Sequence, residues 1–274
     1  MKGMTGPDFS AKADSKASRT VPLKNILLIL TLICSSVTLS GCVYLRILAL
    51  RKQFTQFDKY VVVDKKDGLT FSFIRPILYE KDIKWLGLTP VSQENKSGVT
   101  IWKHYLEKIY SNNQTETGNY DFTIDTRYQN EKLHAIYFPE SFFTALPKEF
   151  FIALCKYIGQ SDMNLDQRNR EARYTGGDVD INHTLSSVKQ DDLVQQFGIP
   201  YLVNNTDGIN SLEYHYRAKE SSTSTDISEK TGTEYVYRFT FSQQDSLISF
   251  AVKIPIVGYI EFDFDKPELH AARN

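Results

Sequence analysis

The sequence predicts an α+β protein: two tandem helix-plus-antiparallel-sheet units, with helices on one sheet face, preceded by an N-terminal leader. Three observations predict it. Short runs of alternating apolar residues bounded by turn residues recur along most of the chain. A few stretches with helical spacing stand between them. One block of sequence returns at an offset of about 110 residues.

Composition sets the bounds. The 274 residues are 41% apolar and carry 32 Lys+Arg against 33 Asp+Glu, a globular balance with material for a large core. A net charge of −1 excludes the strongly basic profile of a nucleic-acid binder, so no nucleic-acid partner is expected. Three cysteines exclude a disulfide-stapled scaffold.

Residues 1–41 read as the leader. An uncharged apolar run at residues 26–39 follows a segment carrying Lys2, Lys12, Lys16, Arg19 and Lys24, and it is short for a comfortable span of a ~30 Å hydrocarbon layer. Its end, Leu39-Ser40-Gly41-Cys42, resembles the bacterial lipobox. That resemblance implies signal-peptidase recognition through Leu39, Ser40 and Gly41, and a covalent diacylglycerol and palmitate anchor on Cys42. The other candidate, Cys34, is preceded by bulky Ile33 and lies inside the run. An uncleaved anchor helix is the alternative. Val43 in place of Asp, by resemblance to enteric lipoproteins, implies the outer membrane and its periplasmic face.

Residues 42–59 form a membrane-proximal helix or tether: Leu45, Leu48, Phe54 and Phe57 fall at helical spacing among Arg46, Arg51 and Lys52. Either the helix lies along the membrane interface or it packs on the domain. Residues 60–140 are expected to be the first α+β unit. Tyr60 to Val63 and Leu69 to Phe73 flank an Asp67-Gly68 turn signal, and further strands fit Val99 to Tyr105, Tyr120 to Tyr128 and Leu133 to Phe138. A helix fits Glu80 to Leu86.

Residues 141–178 read as a helical connector, with Pro147 opening a helix and Gly159 just past its end. Residues 179–274 form the second unit: a helix at Val188 to Phe197, then strands at Ser211 to Arg217, Glu234 to Phe241, Leu247 to Ile254 and Tyr259 to Phe264. Its opening, Asp192 to Pro200, repeats the spacing of Asp82 to Pro90, and each block leads to an aromatic strand, Trp102-Lys103-His104-Tyr105 and Tyr214-His215-Tyr216.

The second unit resembles the small lipoprotein domain of the BamE (SmpA/OmlA) type. The residues that carry the likeness are Leu185 to Pro200, closing on Gly198-Ile199-Pro200, then Tyr214 to Tyr216, Tyr235 to Phe241 and Leu247 to Ser249. The family's Gly-Met-Thr-type opening is replaced by His183-Thr184-Leu185-Ser186, so what the likeness carries over is the fold alone, two helices against an antiparallel sheet. Tandem copies also resemble the β-lactamase-inhibitor-protein architecture, a concave sheet that grips another protein. Both likenesses imply a binder.

A sheet covered on one face leaves the other to solvent or a partner. Large amphipathic residues suit that face, and Trp102, Tyr105, Tyr214 and Tyr216 are the partner-binding candidates. Alternation puts Tyr214 and Tyr216 on one face, with His215 opposite. No nucleophile elbow, zinc pair, phosphate loop or dinucleotide fingerprint occurs, so no catalytic or metal-ligating residue is assigned and no cofactor beyond the lipid on Cys42 is expected. Cys155 reads as a buried thiol. The expected function is a non-catalytic, lipid-anchored binding or scaffold module that contacts the membrane and an envelope protein. The alternative is a lipid-anchored hydrolase or ligand-binding protein with a site assembled from dispersed residues such as His104, His134 and Asp125.

Overall fold

The computed structural model describes residues 43–111, 120–143, 146–166, 168, 171–176, 184–185, 187–219, 233–255 and 257–264. The leader and Cys42 lie outside the described residues.

Helix α1 (residues 43–54) runs into α2 (Phe57–Tyr60) and the hairpin of β1 (Val61–Asp64) and β2 (Leu69–Phe73). Helix α3 (Glu80–Trp85) precedes β3 (Ser92–Lys96), β4 (Val99–Ile109), β5 (Phe122–Gln129) and β6 (Lys132–Phe138). Helix α4 (Lys148–Gln160) leads to β7 (Asp162–Asp166) and β8 (Glu171–Thr175). Helix α5 (Gln190–Phe197) is followed by β9 (Leu202–Thr206), β10 (Ile209–Ala218), β11 (Glu234–Phe241), β12 (Leu247–Ile254) and β13 (Gly258–Asp263).

The expectation of two tandem helix-plus-sheet units is overturned. Thirteen strands form one mixed sheet in the order β1-β2-β6-β5-β4-β10-β11-β12-β13-β8-β7, with β3 on β4 and β9 on β10. The reason lies in strand length. β4 pairs Val99 to Lys103 with β3 and has residues left over; β10 does the same with Ile209 to Glu213 and β9. The surplus segments pair with each other, Leu106 opposite Ala218 and Ile109 opposite His215, which fuses the two halves through an antiparallel seam. At the other side the segment read as a connector supplies two strands as well as α4, and β8 runs parallel to β13.

One face of the sheet carries the core. Alternation sends Leu212, Tyr214, Tyr216 and Ala218 of β10 inward, where Phe150 and Leu154 of α4 and Leu193 and Phe197 of α5 pack on them. Beneath the first half of the sheet a second cluster joins Leu69, Phe71, Phe73, Trp102, Tyr128 and Leu133 to Phe57 and Ile83. Phe151 of α4 and Leu88 touch both clusters. Within α1 the inner side (Ile47, Leu50, Phe54) packs on this second cluster. Arg51 donates from its Nε to the Ile158 carbonyl at 3.1 Å and from its Nη2 to the Ser161 carbonyl at 2.6 Å, so α1 is tied across the end of α4.

Candidate interaction surface

The four aromatic residues expected on an open face divide three to one. Trp102, Tyr214 and Tyr216 are each only 1% exposed, so a direct partner-binding role is corrected for all three. Tyr214 and Tyr216 do share a face, but it is the face under α4 and α5, where large aromatic surface is worth most when removed from water. Trp102 packs 4.7 Å from the Tyr128 ring, inside the other cluster. Tyr105 alone stands on the open face, because it lies three residues from Trp102 in the same strand. Its hydroxyl donates to Asp121, which, with burial, pushes the phenol up to about 12, and Lys219 sits 4.6 Å from its ring centre.

The residues of the alternative dispersed site do not meet. His104 is fully buried on the core face, with Nε2 2.8 Å from Thr126 Oγ1 and Nδ1 3.2 Å from the Thr89 carbonyl oxygen. Burial holds its pKa below the ordinary value, partly offset by the Thr89 contact. Asp125 is one residue past the partner of His104 in β5, so it projects to the opposite face, and His134 is exposed at the β5–β6 register shift. Among the described residues no group of three His, Cys, Asp or Glu side chains is placed to hold a metal ion. Leu39, Ser40, Gly41 and Cys42 lie outside the described residues.

What fills the open face was missed in the sequence. On β10, Glu213, His215 and Arg217 alternate with the buried tyrosines. His215 has Nε2 2.8 Å from Glu213 Oε1 and Nδ1 2.7 Å from Glu234 Oε1, so its ring bridges the two carboxylates. Tyr201 stacks on that ring at 3.9 Å between centres and 17° between planes. Arg238 of β11 donates to Glu213 Oε2 through Nε at 3.0 Å and Nη2 at 2.7 Å, and its guanidinium lies 5.5 Å from the Tyr259 ring centre.

Burial alone would raise the Glu213 carboxyl, but the hydrogen bonds from His215 and Arg238 outweigh it and hold its pKa below the usual range. Beside this network a groove of about 360 Å³ runs between Arg238, Tyr259, Glu261 and Arg173. Arg173 is itself paired to Glu261 at 2.8 Å. These charges are matched across strands, so the groove presents Arg and Tyr side chains already ordered, which is the composition of protein interfaces.

The signal for this face was present. Glu213, His215 and Arg217 at every second position of β10, opposite an aromatic series, already separate the two sides of the strand.

Comparison with protein-family models, with curated proteins and with solved structures finds no match to this chain. Among the described residues no helix is long and apolar enough to cross a membrane.

Proposed function

We propose that the protein is a lipid-anchored envelope protein, facing the periplasm from the outer membrane, that acts as a non-catalytic protein-binding or scaffold module. The observation that carries the anchor is the two-sided helix beside Cys42. While Ile47, Leu50 and Phe54 of α1 pack inward, Tyr44, Leu45 and Leu48 are 51%, 68% and 47% exposed. A helix held to its domain on one side and apolar on the other suits the headgroup boundary, where tyrosine is favoured. A diacylglycerol on Cys42 would enter the bilayer at the same place. The binding role is supported by the polar face of β10–β13, whose ordered Arg and Tyr side chains need little further ordering on contact.

The test is palmitate labelling of the wild type and Cys42→Ser. Label is expected in the first and lost in the second; equal label, or an intact leader by mass, overturns the anchor. Leu45→Gln with Leu48→Gln should keep the melting temperature and the label but weaken retention on anionic vesicles. A photo-crosslinking residue at exposed Lys253 on the open face should yield one discrete envelope-protein adduct. A smear indistinguishable from that of a crosslinker at Lys52 of α1 overturns the binding role.

A further inference from the structure

Among the described residues the sheet has four edge strands rather than two, because β3 and β9 each cover only part of a longer neighbour. An edge strand offers its outer N–H and C=O groups to any extended chain, and proteins guard it with charge or brevity. Three of these edges are guarded. β3 carries Glu94 and Lys96, β7 begins on Asp162 and ends on Asp166, and β1 is four residues long and ends on Asp64. β9, Leu202-Val203-Asn204-Asn205-Thr206, has no charge and no proline, and all five residues are exposed.

Exposed apolar side chains gather at the same place. Val194, Ile199, Leu202, Val203 and Ile209 are five of the eleven large hydrophobic residues exposed among the described ones. Register divides those of the β9–β10 hairpin between the two faces, since directly opposite residues share a side. Val203 lies opposite buried Leu212, so it projects to the side that carries α5. Leu202 lies opposite Glu213, and Ile209 opposite Thr206, so both project to the open face.

We propose that β9 pairs antiparallel with β9 of a second copy of this chain, about a two-fold axis at Asn204, the middle of the strand. Leu202 of one copy then stands opposite Thr206 of the other, in line with Ile209 beyond it, so the open-face apolar residues form one row on each side of the axis. On the helix side Val203 stands opposite Asn205 and becomes a diagonal neighbour of Val203 of the second copy, at ~7–8 Å. No charge meets a like charge. The same operation on β3 sets Glu94 opposite Glu94, and on β7 it sets Asp162 opposite Asp166 twice, and both arrangements are destabilising. A two-fold contact is closed: it consumes β9 on both copies and offers no equivalent edge to a third. It requires neither a lipid on Cys42 nor the groove beside Arg238, so it stands or falls separately from the proposed anchor and partner.

The experiment weighs the full chain in density-matched detergent micelles by equilibrium sedimentation, and a mass of two polypeptides is expected. Asn204→Lys places two ammonium groups opposite each other and should return the mass to one polypeptide with an unchanged far-ultraviolet circular dichroism spectrum, since the side chain is exposed. Asn204→Glu should do the same alone, whereas an equimolar mixture of the two variants should recover the dimer. Register is read by copper-phenanthroline oxidation. Asn204→Cys should give a disulfide-linked pair, because directly opposite Cα atoms stand about 4.5–5.5 Å apart. Leu202→Cys should not, because its two copies lie roughly 14 Å apart along the strands. A wild-type mass of one polypeptide, a dimer that survives Asn204→Lys, a mixture that stays monomeric, or equal crosslinking at both cysteine positions each overturn the proposal. A photo-crosslinker at Asn205 that captures a different polypeptide in place of a second copy overturns it as well.

Discussion

Arg46 in α1 reaches Asp82 in α3 and holds it through Nε at 2.6 Å, with a second contact from Nη2 to Oδ1. Asp82 is completely buried and also accepts the Tyr79 backbone N–H at 2.9 Å, so it is both the cap of α3 and the latch for α1. The Tyr44 and Trp85 rings meet edge to face at 5.3 Å beside it.

Removing the cation should therefore cost more than a surface ion pair. Arg46→Met leaves a buried carboxylate unpaired, and an unfolding free energy lower by about 3 kcal/mol is expected. Adding Asp82→Asn removes the stranded charge but keeps an oxygen for the Tyr79 N–H. Urea titration of the double variant should recover at least half of the loss, a coupling visible in a double-mutant cycle.

Gly159 tests how closely α1 approaches α4. A Cβ built there would lie 2.2 Å from the backbone carbon and 2.3 Å from the carbonyl oxygen of Phe54. Gly159→Ala gains about 1 kcal/mol of helix propensity and loses roughly 1–3 kcal/mol to overpacking. Because the obstacle is backbone rather than a flexible side chain, a net loss is expected, read as a lower melting temperature.

His104 should make the fold acid-sensitive near neutrality. Its folded pKa is depressed by burial, whereas in the unfolded chain it titrates at about 6.5. The unfolded state thus binds the proton first, and stability falls as pH drops below about 6.5 until the folded value is passed. Melting temperatures between pH 7.5 and 5 should decline in the wild type; His104→Asn should start lower but decline less.

Glu213 contributes at lower pH. Its folded pKa is held down by His215 and Arg238 against burial, so its stabilisation is complete above the unfolded carboxylate value of about 4.3 and is lost as pH falls through the folded value. Glu213→Gln should be less stable at pH 7 and should lose less of its stability than the wild type on acidification below pH 4.

Most strands with one buried side were legible, because Leu69 to Phe73, Glu234 to Phe241 and Leu247 to Ile254 have apolar patterns that β-structure explains. β3 and β9 were not: Ser92-Gln-Glu-Asn-Lys96 is polar on both sides and Leu202 to Thr206 is exposed throughout, so neither carries alternation. Their turns did carry a signal. Ser97-Gly98 and Asp207-Gly208 each hold two successive positive φ angles, the requirement of a tight type I′ hairpin, and Asp-Gly is its favoured pair. Gly159 has the position of a helix stop in the sequence, but α4 runs through it to Gln160, and the residue serves close approach. The sheet order was not legible at all, since pairing of Leu106 with Ala218 depends on which edges remain open after local hairpins form. The open-face network was hidden for a related reason: Glu213, Arg238, Tyr259 and Arg173 come from four separate strands.

The seam between β4 and β10 also sets a timetable for biogenesis. Its two sides are made about 110 residues apart, and at roughly 5–20 residues per second translation needs on the order of ten seconds to supply the later one. Throughout that interval the far end of β4 offers unpaired backbone groups to any extended chain nearby. The nascent polypeptide consequently needs either delayed compaction or a holding chaperone, a demand that grows wherever elongation stalls before residue 215.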